Sequence, residues 1–72
     1  MGRRIRYDEF IKSDIDFIVE NANFTETQML IFTELCKGRL YDTGVCLKLN
    51  ISPATYYRAK RKVDDKIARV LR

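Results

Sequence analysis

The stretch NISPATYYRAKRK, residues 50 to 62, decides how this chain is read. Asn50 tolerates the left-handed conformation in which helices end, Ser52 carries the hydroxyl of an N-cap, and Pro53 suits a first helical position, where a missing N–H costs nothing. One helix therefore stops at about Leu49 and another starts at Pro53, with Ile51 filling the corner. Beyond that corner Tyr56, Ala59, Val63, Ile67 and Val70 fall on a single stripe, which predicts a helix from Pro53 nearly to Arg72. With Tyr56 set toward the core and a turn of about 100° per residue, Ala54, Arg58 and Arg61 point away from it, flanked by Tyr57 and Lys62.

Working back toward the start, Tyr41 to Leu49 reads as a short helix with Val45, Cys46 and Leu49 inward. Gly44 weakens its interior by about 1 kcal/mol relative to alanine, which implies close packing against a neighbour or imperfect helicity. Thr25-Glu26-Thr27-Gln28 has the form of a capping box and opens a helix over about Glu26 to Lys37, with Met29, Leu30, Thr33 and Cys36 buried. Phe24 stands where it can staple Met29 or Leu30, and Gly38 stands where a left-handed cap is expected. Over residues 7–22, Phe10, Ile11, Ile15, Ile18 and Ala22 recur at helical spacing and define the first helix. Residues 1–6, MGRRIR, form a basic arm expected to be mobile. The expectation is a single all-α domain over residues 1–72, a small bundle of about four helices in which residues 40–71 form a helix-turn-helix with a long C-terminal recognition helix.

Composition narrows the chemistry. The 72 residues, 46% hydrophobic and 33% charged, suit one small soluble core. Histidine and tryptophan are absent, which removes the commonest general base, the commonest metal ligand and every Ser-His or Cys-His nucleophile. Cys36 and Cys46 have neither a CxxC partner nor a histidine beside them, so they read as reduced core thiols of a cytoplasmic protein. Tyr56 and Tyr57 lack the surrounding constellation of a recombinase nucleophile. Asp64 and Asp65, adjacent on a helix, diverge too far to share a metal and read as a solvated face pairing with Arg61, Lys60 or Arg69. No enzyme, cofactor or metal is expected, and no apolar run reaches the length of a membrane span.

Charge is divided by position. Residues 1–36 carry a net −3 and residues 37–72 a net +7, which together give the overall +4. A positive field on one half suits a polyanion, because clustered Lys and Arg gain from the release of condensed counterions. A helix placed in a major groove offers its N-terminal residues to base edges and its free N–H groups to a phosphate. Ser52, Pro53, Ala54, Thr55, Tyr57, Arg58, Arg61 and Lys62 are therefore the expected contacts with double-stranded DNA. Ala54 permits close approach and could meet a thymine methyl, while Arg58 or Arg61 could fork onto guanine. Lys60, Lys62 and Lys66 suit phosphates, Arg39 and Lys48 suit backbone contacts that fix register, and Arg3, Arg4 and Arg6 suit an adjacent minor groove.

Leu40 to Leu71 resembles the helix-turn-helix of the region 4 class of sigma factors. It is more similar still to the phage autolysin regulator (ArpU) and RinA type of late transcriptional activators. The shared run is Ile51, Ser52, Thr55, Tyr56, Tyr57, Arg58 and Lys60, followed by a helical tail. The resemblance implies sequence-specific duplex binding in transcriptional control, with Ser52, Thr55, Tyr57 and Arg58 at the DNA-facing start of the recognition helix. Gly44 departs from the family, which has a polar or acidic residue there, and the chain is too short for the promoter-opening regions of a complete sigma factor. One recognition helix reads few base pairs, so a homodimer on two half-sites is expected. Val63, Ile67, Val70 and Leu71 extend the apolar stripe far enough to pack on the first helix or on a second protomer. Two rivals use the same fold. One is an adaptor that grips RNA polymerase or another host protein through the acidic, apolar N-terminal half, where Phe17 and Val19 have no obvious place inside; the other is a DNA-packaging or recombination accessory protein.

Overall fold

The computed structural model describes residues 5–71. Arg3, Arg4 and Arg72, assigned above to a basic arm and a helix end, lie outside them. Among the described residues the chain is all-α: a 3-10 turn at Tyr7–Glu9, then α1 (Lys12–Ala22), α2 (Glu26–Lys37), α3 (Asp42–Leu49) and α4 (Pro53–Val70). None of these helices is long and apolar enough to cross a membrane.

The helix ends follow side-chain chemistry. Thr25 Oγ1 accepts from the Gln28 N–H at 3.2 Å and Gln28 Oε1 accepts from the Thr25 N–H at 3.1 Å, so the expected capping box is closed from both sides. Asn23 and Asn50, each at φ 57°, end α1 and α3 in the left-handed region, and Gly38 at φ 68° ends α2. Gly38 is also held by space, since a Cβ there would stand 3.1 Å from Asp8 Cβ. A Cβ on Gly44 would meet Leu40 Cδ2 at 3.1 Å, so the glycine lets Leu40 fold down over α3, the first of the two alternatives, close packing or imperfect helicity, that its place in a helix left open.

Two apolar clusters form the interior. Tyr7, Ile18, Ala22, Phe32, Val63 and Ile67 make one, flanked by Ile5, Phe10, Ile15 and Phe24; Ile31, Val45, Cys46 and Tyr56 make the other, flanked by Leu40, Leu49, Ile51 and Ala59. Leu35 packs against both. Helix α2 lies against α3 and α4, and α4 in turn lies against α1. Full burial of a Val, Ile or Phe side chain contributes about 1.5–3 kcal/mol, so Phe32, Ile31, Ile18, Ile67, Val45 and Val63, all nearly inaccessible, carry most of the driving force.

The N-terminal region departs from the sequence reading. The periodicity of residues 7–22 does not make one helix: the 3-10 turn ends at Phe10 in extended backbone, and α1 begins only at Lys12. Ile11, expected inside, is 64% exposed, because it is the extended N-cap residue of α1 and its own N–H donates to Asp14 Oδ2 at 3.3 Å. Tyr7 takes the interior place, with its ring edge-on to Phe10 and Phe32. Nor do residues 5 and 6 belong to a free arm, since Ile5 packs on the core and Arg6 pairs with Glu9 at 3.2 Å.

Helix α2 is rotated from the expected face. Leu30 and Thr33 are exposed and Met29 and Cys36 half-buried, while Gln28, Ile31, Phe32 and Glu34 are buried. The run MLIF, residues 29–32, has no polar interruption, so spacing alone does not select a face. Phe24 stacks on Phe32, with centroids 5.1 Å apart, and takes its place in the core there. Cys36 and Cys46 are both free thiols, and burial pushes Cys36 up to about 11, away from reactivity.

Candidate nucleic-acid interface

Three residues, Asn50–Ser52, separate α3 from α4. Ser52 Oγ accepts from the Thr55 N–H at 3.3 Å and also donates to Thr55 Oγ1 at 2.9 Å, fixing the first turn of α4. Pro53 has no N–H and the Tyr56 N–H is taken by Ser52 O at 2.8 Å. The Ala54 N–H remains as the outward donor of this helix end.

All eight expected contact residues, Ser52, Pro53, Ala54, Thr55, Tyr57, Arg58, Arg61 and Lys62, are exposed. They occupy the first turns of one helix, so the fold gathers them on a continuous surface. Tyr57 is 52% exposed, and the buried ring of Tyr56 braces it edge-on at 5.1 Å. Arg58, Arg61 and Lys62 form no ion pair with the described residues. Their charges face solvent without an ion-pair partner among the described residues.

Several other cations, among them ones expected at phosphates or at DNA backbone contacts, are paired within the protein. Lys60, only 25% exposed at its side chain, binds Asp42 Oδ1 at 3.0 Å. Lys66 donates to Asn23 O at 2.9 Å and Gln28 Oε1 at 2.6 Å, beneath the Phe24 ring. Lys48 binds Glu34 Oε1 at 3.1 Å and Lys37 binds Glu34 Oε2 at 3.3 Å. Arg39 stays exposed near this pair and, with Leu40, lines the same groove. Position along the helix separates the two classes: Lys60 and Lys66 lie nearer the core-facing side of α4 than Arg58, Arg61 and Lys62 do.

The residue that sequence reasoning missed is Asp42. At the first turn of α3, its carboxylate accepts from the Tyr56 hydroxyl at 2.5 Å and pairs with Lys60, so it pins the start of α3 to α4. Burial first, and then the bond to Asp42, push the Tyr56 phenol above its ordinary value. A tyrosine on the core stripe followed four residues later by a lysine was the available signal, since both polar ends need a partner. The expectation that Asp64 faces solvent beside local cations is corrected as well. Asp64 is half-buried and accepts from the Tyr7 hydroxyl, joining α4 to the N-terminal turn. Its neighbour Asp65 is exposed, on the same side of α4 as Arg58 and Arg61.

Glu34 is held below the usual carboxylate range, chiefly by the hydrogen bond from Lys48 and also by Lys37, against the opposing effect of burial. The carboxylate therefore stays charged at neutral pH and links α2 to α3. Comparison with known protein families, with curated proteins and with solved structures finds no match to this chain.

Proposed function

We propose that this protein binds duplex DNA through a helix-turn-helix formed by α3 and α4, with α4 as the recognition helix, and acts as a transcriptional regulator of phage, mobile-element or bacterial origin. The observation that carries the reading is the sorting of cations on α4. Lys60 and Lys66 are satisfied internally, while Arg58, Arg61 and Lys62 are exposed on the face that also carries Ala54 and Tyr57. The division leaves the outward face of α4 with three cations against the single exposed carboxylate of Asp65, a net positive surface suited to a polyanion. In the groove, Arg58 or Arg61 forks onto guanine, Ala54 allows close approach, Lys62 meets a phosphate, and the Ala54 N–H offers a further phosphate contact. The Ser52–Thr55 hydroxyl pair serves first as the helix cap.

Selection of bound duplexes from a randomised pool tests this directly. The wild-type protein should enrich one short sequence, and an Arg58→Ala/Arg61→Ala variant that remains helical should lose the enrichment. Each bidentate base contact contributes about 1–3 kcal/mol of discrimination. Equal enrichment by both proteins would remove α4 from the interface. Capture of RNA polymerase by a protein that enriches no sequence would instead favour the adaptor reading, for which the exposed Phe17 of α1 is the observation.

A further inference from the structure

The surface farthest from the basic start of α4 has a different character. Phe17, 51% exposed, stands at the rim of an open groove of about 430 Å³ between the C-terminal ends of α1 and α4. Phe17 and Val70 give this groove apolar surface, Asn21 and Asn23 line its α1 side, and Lys66 and Arg69 line its α4 side. Lys66 is spent on Asn23 and Gln28, whereas Arg69 forms no ion pair with the described residues. One turn beyond Phe17 on α1 stands the exposed Glu20, likewise unpaired among the described residues. The patch therefore presents an aromatic knob with an acid beside it and a groove of mixed polar and apolar lining with a cation beside it. The second pair of features is the complement of the first.

We infer that this surface joins two copies of the chain about a two-fold axis, with Phe17 of each protomer in the groove of the other and Glu20 paired across the interface with Arg69. A two-fold contact demands a surface that complements itself; Phe17 and Arg69 line the same groove, and Glu20 stands one helical turn from Phe17. The lengths agree with the DNA-binding reading, on which only this part of the argument rests. Arg58 to Val70 spans twelve residues, about 18 Å of helix, so two α4 helices meeting near their C-terminal ends can set the two Arg58 positions at most about 36 Å apart. Half-sites one turn apart on DNA are separated by about 34–36 Å.

Sedimentation equilibrium of the DNA-free protein, at up to about 100 µM to exceed the Kd of a small interface, tests the contact independently of DNA. Wild-type protein should sediment as a dimer. Phe17→Asp should sediment as a monomer with an unchanged circular dichroism spectrum, since the side chain it replaces is half in solvent. Glu20→Arg and Arg69→Glu should each weaken the dimer at least tenfold, and the two together should restore it. Arg58→Ala/Arg61→Ala should leave the mass unchanged, which separates failure of this contact from failure of the DNA reading. A wild-type monomer throughout the range, a folded Phe17→Asp dimer, or a charge swap that does not restore association would overturn the assignment.

Discussion

Lys60 and Lys62 stand two residues apart with the same chemistry and are expected to do unlike work. Lys60 is drawn in against Asp42, which also holds the Tyr56 hydroxyl; Lys62 faces solvent. Replacing Lys60 with alanine removes a part-buried pair and should cost about 1 kcal/mol of stability, read by urea denaturation. Replacing Lys62 should leave stability within about 0.5 kcal/mol and lower the salt dependence of DNA binding by about one phosphate contact. Matched effects of the two substitutions on both measurements would contradict the division. The tyrosines give a second test. Burial and a carboxylate partner raise Tyr7 and Tyr56 above their ordinary 10.0. A raised folded-state value contributes stability that is complete below the unfolded value and is lost as pH climbs past it. Between neutral pH and about pH 11 the urea midpoint should therefore fall less in a Tyr7→Phe/Tyr56→Phe variant than in wild type. An equal fall in both would show that the phenols do not couple to folding.

At the level of elements, legibility in the sequence depended on whether a boundary is written in local chemistry. The α3–α4 corner was readable because Asn50, Ser52 and Pro53 each serve one backbone need, and the structure puts a left-handed cap, an N-cap and a first helical residue at those positions. The Thr25–Gln28 capping box was readable for the same reason. The face of α2 was not, because four consecutive apolar residues, Met29 to Phe32, fit several faces and the choice is made by two clusters packing on different sides. The break between Tyr7–Glu9 and α1 was hidden as well: Phe10 and Ile11 continue the apolar period although their backbone is extended. Of the candidate site, the exposed set on α4 was legible from its angular positions, whereas the capture of Lys60, Lys48 and Lys66 by acceptors on other helices depends on tertiary contacts that spacing does not encode. The caps give a prediction at this scale. Ser52→Ala should destabilise the domain by about 1 kcal/mol. Asn50→Ala should do so by about 1–2 kcal/mol, because alanine lacks asparagine's tolerance of positive φ, whereas Asn50→Gly should be tolerated. Thermal unfolding ranks the three, and an Asn50→Gly variant less stable than Asn50→Ala would contradict the role given to φ.

As a whole molecule the protein is a bundle whose two apolar clusters meet at Leu35 and whose helices are tied by polar links: Asp42 to Tyr56 and Lys60, Glu34 to Lys48, Asp64 to Tyr7. The Glu34 link has a pH signature. Its carboxyl lies below the ordinary 4.5, so the stability it contributes is complete above that value and is lost as pH falls through the lower folded-state value. Glu34→Gln should accordingly flatten the acid limb of a stability-against-pH curve, and an unchanged limb would contradict the link. The described residues span 30 × 25 × 22 Å, less than one turn of duplex in any direction, so recognition of a long site calls for two copies, for which the α1–α4 surface is the proposed contact. The central claim is that the exposed cations Arg58, Arg61 and Lys62 of α4 meet DNA. It is tested most directly by fluorescence anisotropy on a mixed-sequence duplex across about 50–200 mM salt, comparing wild type with Arg58→Ala/Arg61→Ala. Binding that weakens steeply with salt in wild type, with a clearly smaller slope and affinity in the folded variant, is the predicted result. Wild-type protein that stays unbound at the lowest salt, or a variant that matches it, would contradict the account.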